Sequence, residues 1–138
     1  MDTIFDKIIR KEISAEILYE DDRVIVFLDI FPTNPGHTLF VPKEAGENFT
    51  QNSEEVLAHI FSVVKQVAPA ILKTVGAKDF NFNTNCGPVA GQIIMHTHFH
   101  LIPRFENDGH KMWGHDAAKP EELSVLRQRI VDEMASKT

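Results

Sequence analysis

Three histidines stand at alternate positions near residue 100: His96, His98 and His100. Alternate residues of a β-strand point to the same face of its sheet, and the neighbouring residues predict a strand over 94–103. We therefore expect the three imidazoles to share one face. Imidazoles are costly to bury without polar partners, so this spacing indicates chemistry more than a structural or surface role.

Two kinds of chemistry fit such a face. The first is a metal site, because imidazole is the commonest metal ligand and His37, His110 or His115 could complete the shell. Three ligands on one strand are hard to bring together, since the outer two Cα atoms lie ~13 Å apart whereas ligating nitrogens lie ~2 Å from their ion. The second is nucleophilic catalysis, in which one imidazole attacks while its neighbours orient and polarise it. A neutral imidazole suits attack on phosphorus near neutral pH, because its ordinary pKa is ~6.5.

The segment just before the histidines has the composition of a phosphate-binding loop. Residues 85–92 read Asn-Cys-Gly-Pro-Val-Ala-Gly-Gln. Glycine permits close approach of backbone to a ligand, backbone N–H groups can form an anion-binding concavity, and Asn85 and Gln92 add side-chain donors. Taken alone, the segment is equally well an ordinary turn. Beside the histidines it predicts a phosphorylated substrate.

The elements that position these residues follow from hydrophobic periodicity and from chain breakers. A short amphipathic helix is predicted over 3–12. A longer helix begins at Asn52, which with Glu55 has the form of a capping box, and it ends at Gly76. Pro120 opens a C-terminal helix. Short connections between the strands favour antiparallel pairing, so we expect an α+β fold with the helices on one face of the sheet. The predicted strands span 16–20, 24–29, 37–41, 80–85 and 94–103.

Composition narrows the possible partners and compartments. The net charge of -6 argues against long nucleic acid as a partner, because that binding needs clustered cations facing phosphates. The single cysteine, Cys86, excludes an internal disulfide and suits a reducing compartment. The N-terminus lacks the pattern of a secretory signal, and the longest strongly apolar stretch, 24–31, is far shorter than the ~20 residues that span a membrane. We expect a cytoplasmic protein with no membrane or nucleic-acid partner.

The histidine motif resembles that of the histidine-triad (HIT) family, His-x-His-x-His followed by two apolar residues. Residues 96–103 read His-Thr-His-Phe-His-Leu-Ile-Pro. The likeness covers about residues 2–105 and is strongest to the nucleotide-binding HINT branch. It implies a single HIT domain over 1–138, with an antiparallel sheet, packed helices and a homodimeric assembly, in which 106–138 form a C-terminal loop and helix. The segments that carry the likeness upstream of the motif are 2–13, 19–22, 27–30 and 37–43.

The resemblance also implies a substrate and a role for each site residue. The substrate would be a purine nucleotide, such as AMP or GMP, with a group on its α-phosphate. His98 would be the nucleophile and form a nucleotidyl-histidine, while His96 and His100 would bind or polarise the phosphate. His37 would support the triad by a hydrogen bond, and Asp29 would accept hydrogen bonds from the ribose. The other implied contacts are Asn85, Gly91 and Gln92 with the phosphate, and Ile4, Phe5, Ile8, Phe27 and Ile30 with the base.

The implied activity is that of a nucleotide hydrolase or transferase of the phosphoramidase type, without metal or cofactor. Two alternatives stay open: a dinucleoside polyphosphate hydrolase, and a nucleotide-binding module with little catalysis. Ile93 stands where many members carry a serine that helps to protonate the leaving group, so weak activity toward amine leaving groups is expected.

Two further departures from the family pattern affect the periphery. Thr3, Asp6 and Ala45 stand where some bacterial members carry Cys, Cys and His as zinc ligands, so no structural zinc is expected. Residues 106–138 differ from the HINT ending. Trp113 with Met112 is expected to cover the nucleotide, to pack at a dimer interface, or simply to anchor the tail.

Overall fold

The fold is built on a five-stranded antiparallel sheet in the order β1-β2-β3-β5-β4. The computed structural model describes residues 2–136. Antiparallel pairing throughout confirms the predicted α+β class, as expected for strands joined by short connections. The strands are β1 (Ile17–Glu20), β2 (Val24–Leu28), β3 (Thr38–Pro42), β4 (Asp79–Asn83) and β5 (Phe99–Arg104), and the helices are α1 (Ile4–Ile9), α2 (Glu54–Val75) and α3 (Pro120–Ala135).

The helices do not share one face of the sheet, contrary to the prediction. Val24 and Val26 of β2 belong to the core under α2, whereas Ile25 and Phe27 belong to a second core with Phe5 of α1. Successive residues of a strand point to opposite faces, so α1 and α2 cover opposite sides. The unbroken apolar run of β2, buried at its first four positions, is the sequence signal for a strand covered on both faces.

Helix α2 begins one residue later than predicted, with Ser53 as its N-cap. The Ser53 hydroxyl accepts a hydrogen bond from Val56 N–H at 3.2 Å. The Asn52 amide has another role: it donates to Glu44 Oε1 at 3.0 Å and accepts from the Thr97 hydroxyl. Asn52 therefore ties the loop after β3 to the histidine segment. Gly76, with a φ of +75°, ends the helix as predicted.

By length and composition α2 is the one helix within residues 2–136 that could cross a membrane. No such span was expected from the sequence. The helix also has the character of a core helix, because an apolar stripe along it is buried against the sheet. The buried residues are Val56, Ile60, Val63, Val64, Ala68 and Ile71.

Two predicted elements are shorter than expected. Helix α1 ends at Ile9 instead of residue 12, and Lys11 takes a φ of +65° as the chain turns. Strand β5 begins only at Phe99. Before it, Thr97 N–H donates to Gly46 O at 2.9 Å and the Thr84 hydroxyl donates to His98 O at 2.7 Å. These backbone groups are thus paired outside the sheet ladder, which is why His96 and His98 precede the regular strand.

The chain divides into two compact units, Met1–Asp108 and Gly109–Thr138. In the second unit α3 begins at Pro120, as predicted. Met112 and Trp113 have exposed side chains, and the roles considered for them stay predictions. The single domain over 1–138 stays a prediction. The apolar stripe of α3 is about half exposed, at 50–61%, and consists of Leu123, Leu126, Ile130 and Met134.

Candidate active site

A cavity of about 440 Å³ opens on the face of the sheet that α1 covers. Its wall is mostly apolar and carries a few convergent polar groups, which is the usual character of a small-molecule site. Ten of the thirteen predicted site residues line it, and His96, His37 and Gln92 do not. Those ten are Ile4, Phe5, Ile8, Phe27, Asp29, Ile30, Asn85, Gly91, His98 and His100.

The His98 ring is held by its own segment of chain. Its Nδ1 lies 2.7 Å from the carbonyl oxygen of His96, so Nδ1 carries the proton and donates it. The lone pair is therefore on Nε2. The ring also packs edge-on against Phe5, with 4.9 Å between ring centroids. Burial lowers the pKa of His98 below its ordinary 6.5, which keeps Nε2 unprotonated at neutral pH.

A second chain of hydrogen bonds fixes the proton of His100. Thr33 N–H donates to His37 Nδ1 at 3.0 Å, so a neutral His37 carries its proton on Nε2. That Nε2 lies 2.9 Å from His100 Nδ1. His100 Nδ1 therefore accepts, and the proton of His100 is on its Nε2.

The Nε2 atom of His100 is the one buried side-chain nitrogen or oxygen without a hydrogen-bond partner in the described residues 2–136. Burial lowers the pKa of His37, and burial with the neighbouring His98 and His37 lowers the pKa of His100 to about 4. Both rings are thus neutral at pH 7. A buried, unpaired N–H at a cavity wall calls for a ligand that accepts its hydrogen bond.

Asp29 follows β2 and also lies beside His37. Its Oδ1 accepts from Phe31 N–H at 2.9 Å, and its Oδ2 lies 3.6 Å from His37 Nε2. By spacing, Asp29, His37 and His100 could hold a metal ion, since one ligand atom from each lies within 4.8 Å of the others. A metal would need the lone pair of His37 Nε2, yet Thr33 N–H holds the proton on that atom. The geometry therefore favours a hydrogen-bonded network over a metal site.

The His96 ring does not enter the cavity. Its Nε2 donates to Pro42 O at 2.8 Å, and its Nδ1 lies 3.7 Å from Asp6 Oδ1. The regular strand on which three same-face imidazoles were expected begins only at Phe99, so this face does not extend to His96. His96 reaches the site through its carbonyl oxygen, which holds the His98 ring, and its predicted contact with phosphate stays a prediction.

The glycine loop contributes Asn85 and Gly91 to the cavity wall. Gly91 has a φ of +95°, a conformation in which a side chain would be strained. The Gln92 side-chain amide is occupied by protein partners: it accepts from Gly87 N–H at 2.8 Å and donates to the carbonyl oxygens of Glu47 and Ile94 at 2.5 and 3.0 Å. Gln92 thus shapes the loop, and its predicted contact with the phosphate stays a prediction.

Several site residues escaped the sequence analysis. Thr33 acts through its backbone N–H, which every residue except proline has, so no sequence signal marks it. Phe31 could have been found, because it follows Asp29 by two residues at the end of an apolar strand. The further lining residues are Ile13, Ser14, Ala15, Leu28, Phe31, Leu39, Ile93 and Ile94.

The chain is similar to several known proteins. A model of the HIT domain matches residues 10–107. The Adenylylsulfatase HINT3 of Arabidopsis thaliana is 38% identical over 127 residues, which are 92% of this chain and 64% of that protein. The Adenosine 5'-monophosphoramidase hnt1 of Schizosaccharomyces pombe is 35% identical over 133 residues, 94% and 96% of the two chains. A crystal structure of a HIT-family member from Bacillus subtilis is 34% identical, covers 96% of each chain and has a TM-score of 0.87. The chain therefore belongs to the histidine-triad family.

Proposed function

We propose that this protein hydrolyses, or transfers, the nucleotidyl group of a purine nucleoside monophosphate that carries a substituent on its α-phosphate. The observation that carries the proposal is the His98–His96 hydrogen bond. It leaves the His98 Nε2 lone pair as a nucleophile in a cavity that also holds an unpaired N–H donor. The relatives named as an adenylylsulfatase and a monophosphoramidase support this class of reaction.

In the proposed complex the purine base lies among the apolar side chains between α1 and β2. Asp29, at the end of β2, is free to accept a hydrogen bond from the ribose through Oδ2. The phosphate lies beside Asn85 and Gly91, where His98 and His100 also meet the cavity. The base pocket consists of Ile4, Phe5, Ile8, Phe27 and Ile30.

The proposed reaction has two steps. The His98 Nε2 lone pair forms a bond to phosphorus while the bond from phosphorus to the leaving group breaks and its electron pair departs with the leaving group. The proton stays on His98 Nδ1 and is donated in a hydrogen bond to the His96 carbonyl oxygen. His100 Nε2–H donates to a phosphoryl oxygen, where negative charge is stabilised by a donor already in position. Water then attacks phosphorus, the P–N bond breaks with its electron pair returning to Nε2, one proton of the water is released to solvent, and nucleoside monophosphate leaves.

The direct test is to incubate the protein with AMP conjugates and to measure AMP release, with mass spectrometry of the acid-quenched protein to detect a nucleotidyl adduct. AMP release together with an adduct on the peptide that contains His98 is the expected result. AMP binding without release from any conjugate would favour the nucleotide-binding module instead. Release of AMP from a dinucleoside triphosphate alone would favour the dinucleoside polyphosphate hydrolase.

The pH dependence of kcat/KM follows from the lowered pKa of the two cavity histidines. Protonation removes the Nε2 lone pair of His98, and because the pKa of His98 is lowered below its ordinary 6.5, the rate should fall to half its plateau value only below pH 6.5. Below pH 4, His100 is protonated as well. Initial rates between pH 4 and 8, with circular dichroism at each pH as a folding control, test this expectation. A rate that has already fallen to half its plateau value at pH 6.5 or above contradicts it.

We also propose that the protein is a homodimer, through the face that includes β4. This strand is an edge of the sheet, and the unpaired backbone groups of an edge strand favour association. Phe80 of β4 and Phe61 of α2 are 43% and 53% exposed, although the Phe61 ring also contacts Phe82 at 5.6 Å between centroids. Both are large apolar side chains that a partner would cover.

Phe61→Asp is expected to convert a dimer into a monomer of 15.6 kDa in sedimentation experiments at micromolar concentration, because a carboxylate is costly to bury at an apolar interface. Leu18→Asp, on the opposite edge strand β1, is the matched control and should leave the dimer intact. A monomeric wild type, or a dimer lost only in Leu18→Asp, contradicts the proposed face.

A cytoplasmic location is proposed as well, since the free, exposed Cys86 suits a reducing compartment.

A further inference from the structure

The loop between β2 and β3 carries the groups that fix the proton of His100, and one buried side chain ties this loop to β5. Asn34 lies in the loop, next to Thr33, and only 9% of its surface is exposed. A buried amide is costly unless its polar atoms are hydrogen-bonded. The Asn34 amide nitrogen donates to Pro103 O at 2.9 Å and to Asp108 Oδ2 at 2.9 Å. These acceptors lie at the end of β5 and just beyond it, on the strand that carries His100.

The acceptor Asp108 is itself held in place by several donors. Its carboxylate is 7% exposed and forms an ion pair with Arg104, with 2.8 Å between Nε and Oδ2. It also accepts from Arg104 Nη2 at 3.1 Å and from the backbone N–H of Phe105 at 3.1 Å. Hydrogen bonds to an ionised group are short and strong, and a buried carboxylate that lost them would be left unpaired. Asp108 therefore gives Asn34 a fixed anchor beside the end of β5.

A tight turn joins Asn34 to His37. The backbone N–H of His37 donates to the Asn34 carbonyl oxygen at 3.1 Å. Pro35 and Gly36 occupy the two central positions, which is the residue pattern of a type II turn. Gly36 has a φ of +89°, and a Cβ atom there would lie 3.1 Å from Pro103 Cγ, so the turn packs closely against the end of β5. A shift of Asn34 would therefore also shift the backbone that carries His37.

We propose that Asn34 is a positioning residue for the reaction, and that it acts through the hydrogen bonds that hold the proton of His100 on Nε2. Asn34 does not line the cavity, so it does not touch the substrate. Thr33 N–H donates to His37 Nδ1 at 3.0 Å, and His37 Nε2 lies 2.9 Å from His100 Nδ1. The second distance spans the loop and β5, and the amide of Asn34 holds these two segments together. The inference rests on the proposed function and adds a residue to it.

Removing the side chain of Asn34 would free the loop from the end of β5. Thr33 N–H would then no longer confine the proton of His37 to Nε2, and His37 would no longer present a fixed donor to His100 Nδ1. His100 is expected to populate both neutral tautomers, so that its Nε2–H faces the phosphoryl oxygen only part of the time. A displacement of about 1 Å costs a catalytic group about 10²-fold in rate. We therefore expect kcat to fall by about 10–10²-fold, and KM to change less because most of the base pocket lies between α1 and β2.

The test compares Asn34→Ala with the wild type and with Asn81→Ala as the matched control. Asn81 Oδ1 accepts from Arg104 Nη1 at 2.7 Å, so its replacement removes a hydrogen bond of the same cluster without removing those of Asn34. The measurements are kcat and KM for AMP release, thermal unfolding, and nitrogen NMR of labelled histidine in the absence of nucleotide. The expected result is a lower kcat and a mixed His100 tautomer in Asn34→Ala, with wild-type kcat and tautomer in Asn81→Ala.

Asp108→Asn is the second variant, and it decides the question if Asn34→Ala does not fold. The amide has nearly the shape of the carboxylate but offers one acceptor oxygen instead of two, so Asn34 and Arg104 compete for it. We expect a mixed His100 tautomer here as well, and a loss of kcat in the same direction. Where Asn34→Ala folds, adding Asp108→Asn to it should lower kcat little further, because both changes act on one hydrogen bond and such effects are not additive.

A folded variant that keeps the His100 tautomer of the wild type overturns the inference, whatever its kcat, because Asn34 would then act through stability alone. A mixed tautomer with wild-type kcat overturns it too, and so does an equal change in Asn81→Ala. The NMR measurement needs no turnover, so it separates this inference from the proposed function. If the wild type releases no AMP but Asn34→Ala still changes the His100 tautomer, the proposed function fails while the role of Asn34 in fixing His100 stands.

Discussion

Replacing His98 by alanine is expected to lower kcat/KM for AMP release from an activated ester by about 10⁴-fold or more, the scale on which loss of a covalent nucleophile is felt. Alanine keeps the backbone of the motif but removes the one nitrogen whose lone pair faces the cavity. The measurement is AMP release by the variant and the wild type, together with thermal unfolding and AMP binding.

The measurements of AMP binding and thermal unfolding distinguish a variant that has lost only its nucleophile from one that has lost its structure. The His98 ring fills a site against Phe5, so some loss of stability is expected while AMP is still bound. His115→Ala, at an exposed position of the second unit, is the matched control and should keep the wild-type rate. A His98→Ala protein that retained more than a tenth of that rate would show that another group attacks phosphorus.

Replacing His37 by phenylalanine is expected to reduce kcat by about 10²–10⁴-fold, because a catalytic imidazole held in the wrong tautomer loses function on that scale. Without the Nε2–H of His37, the proton of His100 is free to move to its Nδ1. His100 Nε2 would then present a lone pair to the phosphoryl oxygen instead of a donor. KM should change little, since His37 does not line the cavity.

The conservative variant and a spectroscopic readout make the role of His37 testable. His37→Gln keeps an N–H donor near His100 and is expected to retain more activity than His37→Phe. Nitrogen NMR of labelled histidine reports the tautomer directly. In His37→Phe the Nδ1 signal of His100 should become that of a protonated nitrogen, and the Nε2 signal that of an unprotonated one. Equal losses in both variants, with the His100 tautomer unchanged, would reduce His37 to a packing role.

The strands could be predicted from the sequence, because residue propensities and chain breakers within each segment determine where a strand begins and ends. Strands β2 and β3 were predicted to within a residue, since β-branched and aromatic runs between breakers leave little choice. The N-cap of α2 was missed because Asn52 and Ser53 are both good caps, and the choice depends on the contacts of Asn52 with Glu44 and Thr97. The unbroken apolar run of β2 indicated a strand covered on both faces, but which helix covers which face depends on tertiary packing.

The structure brings most of the predicted site residues to one cavity, and their roles toward a nucleotide stay predictions. The apolar pocket around Phe5 and the carboxylate of Asp29 lie in one cavity, as the resemblance implied. His96 and Gln92 have side-chain partners elsewhere, because the chain before β5 departs from regular strand geometry. Thr33 could not be found, since its contribution is a backbone N–H aimed by the fold.

The two histidines that face the cavity differ in how far along the chain their hydrogen-bond partners lie. The partner that sets the proton of His98 is two residues away, inside the motif, whereas the partner that sets the proton of His100 is 63 residues away. A gene that preserves residues 96–100 therefore inherits the nucleophile as a unit, but it keeps the donor only while a separate segment near residue 37 is preserved as well. A substitution in that distant segment would therefore remove the donor while all three histidines of the motif remain in place.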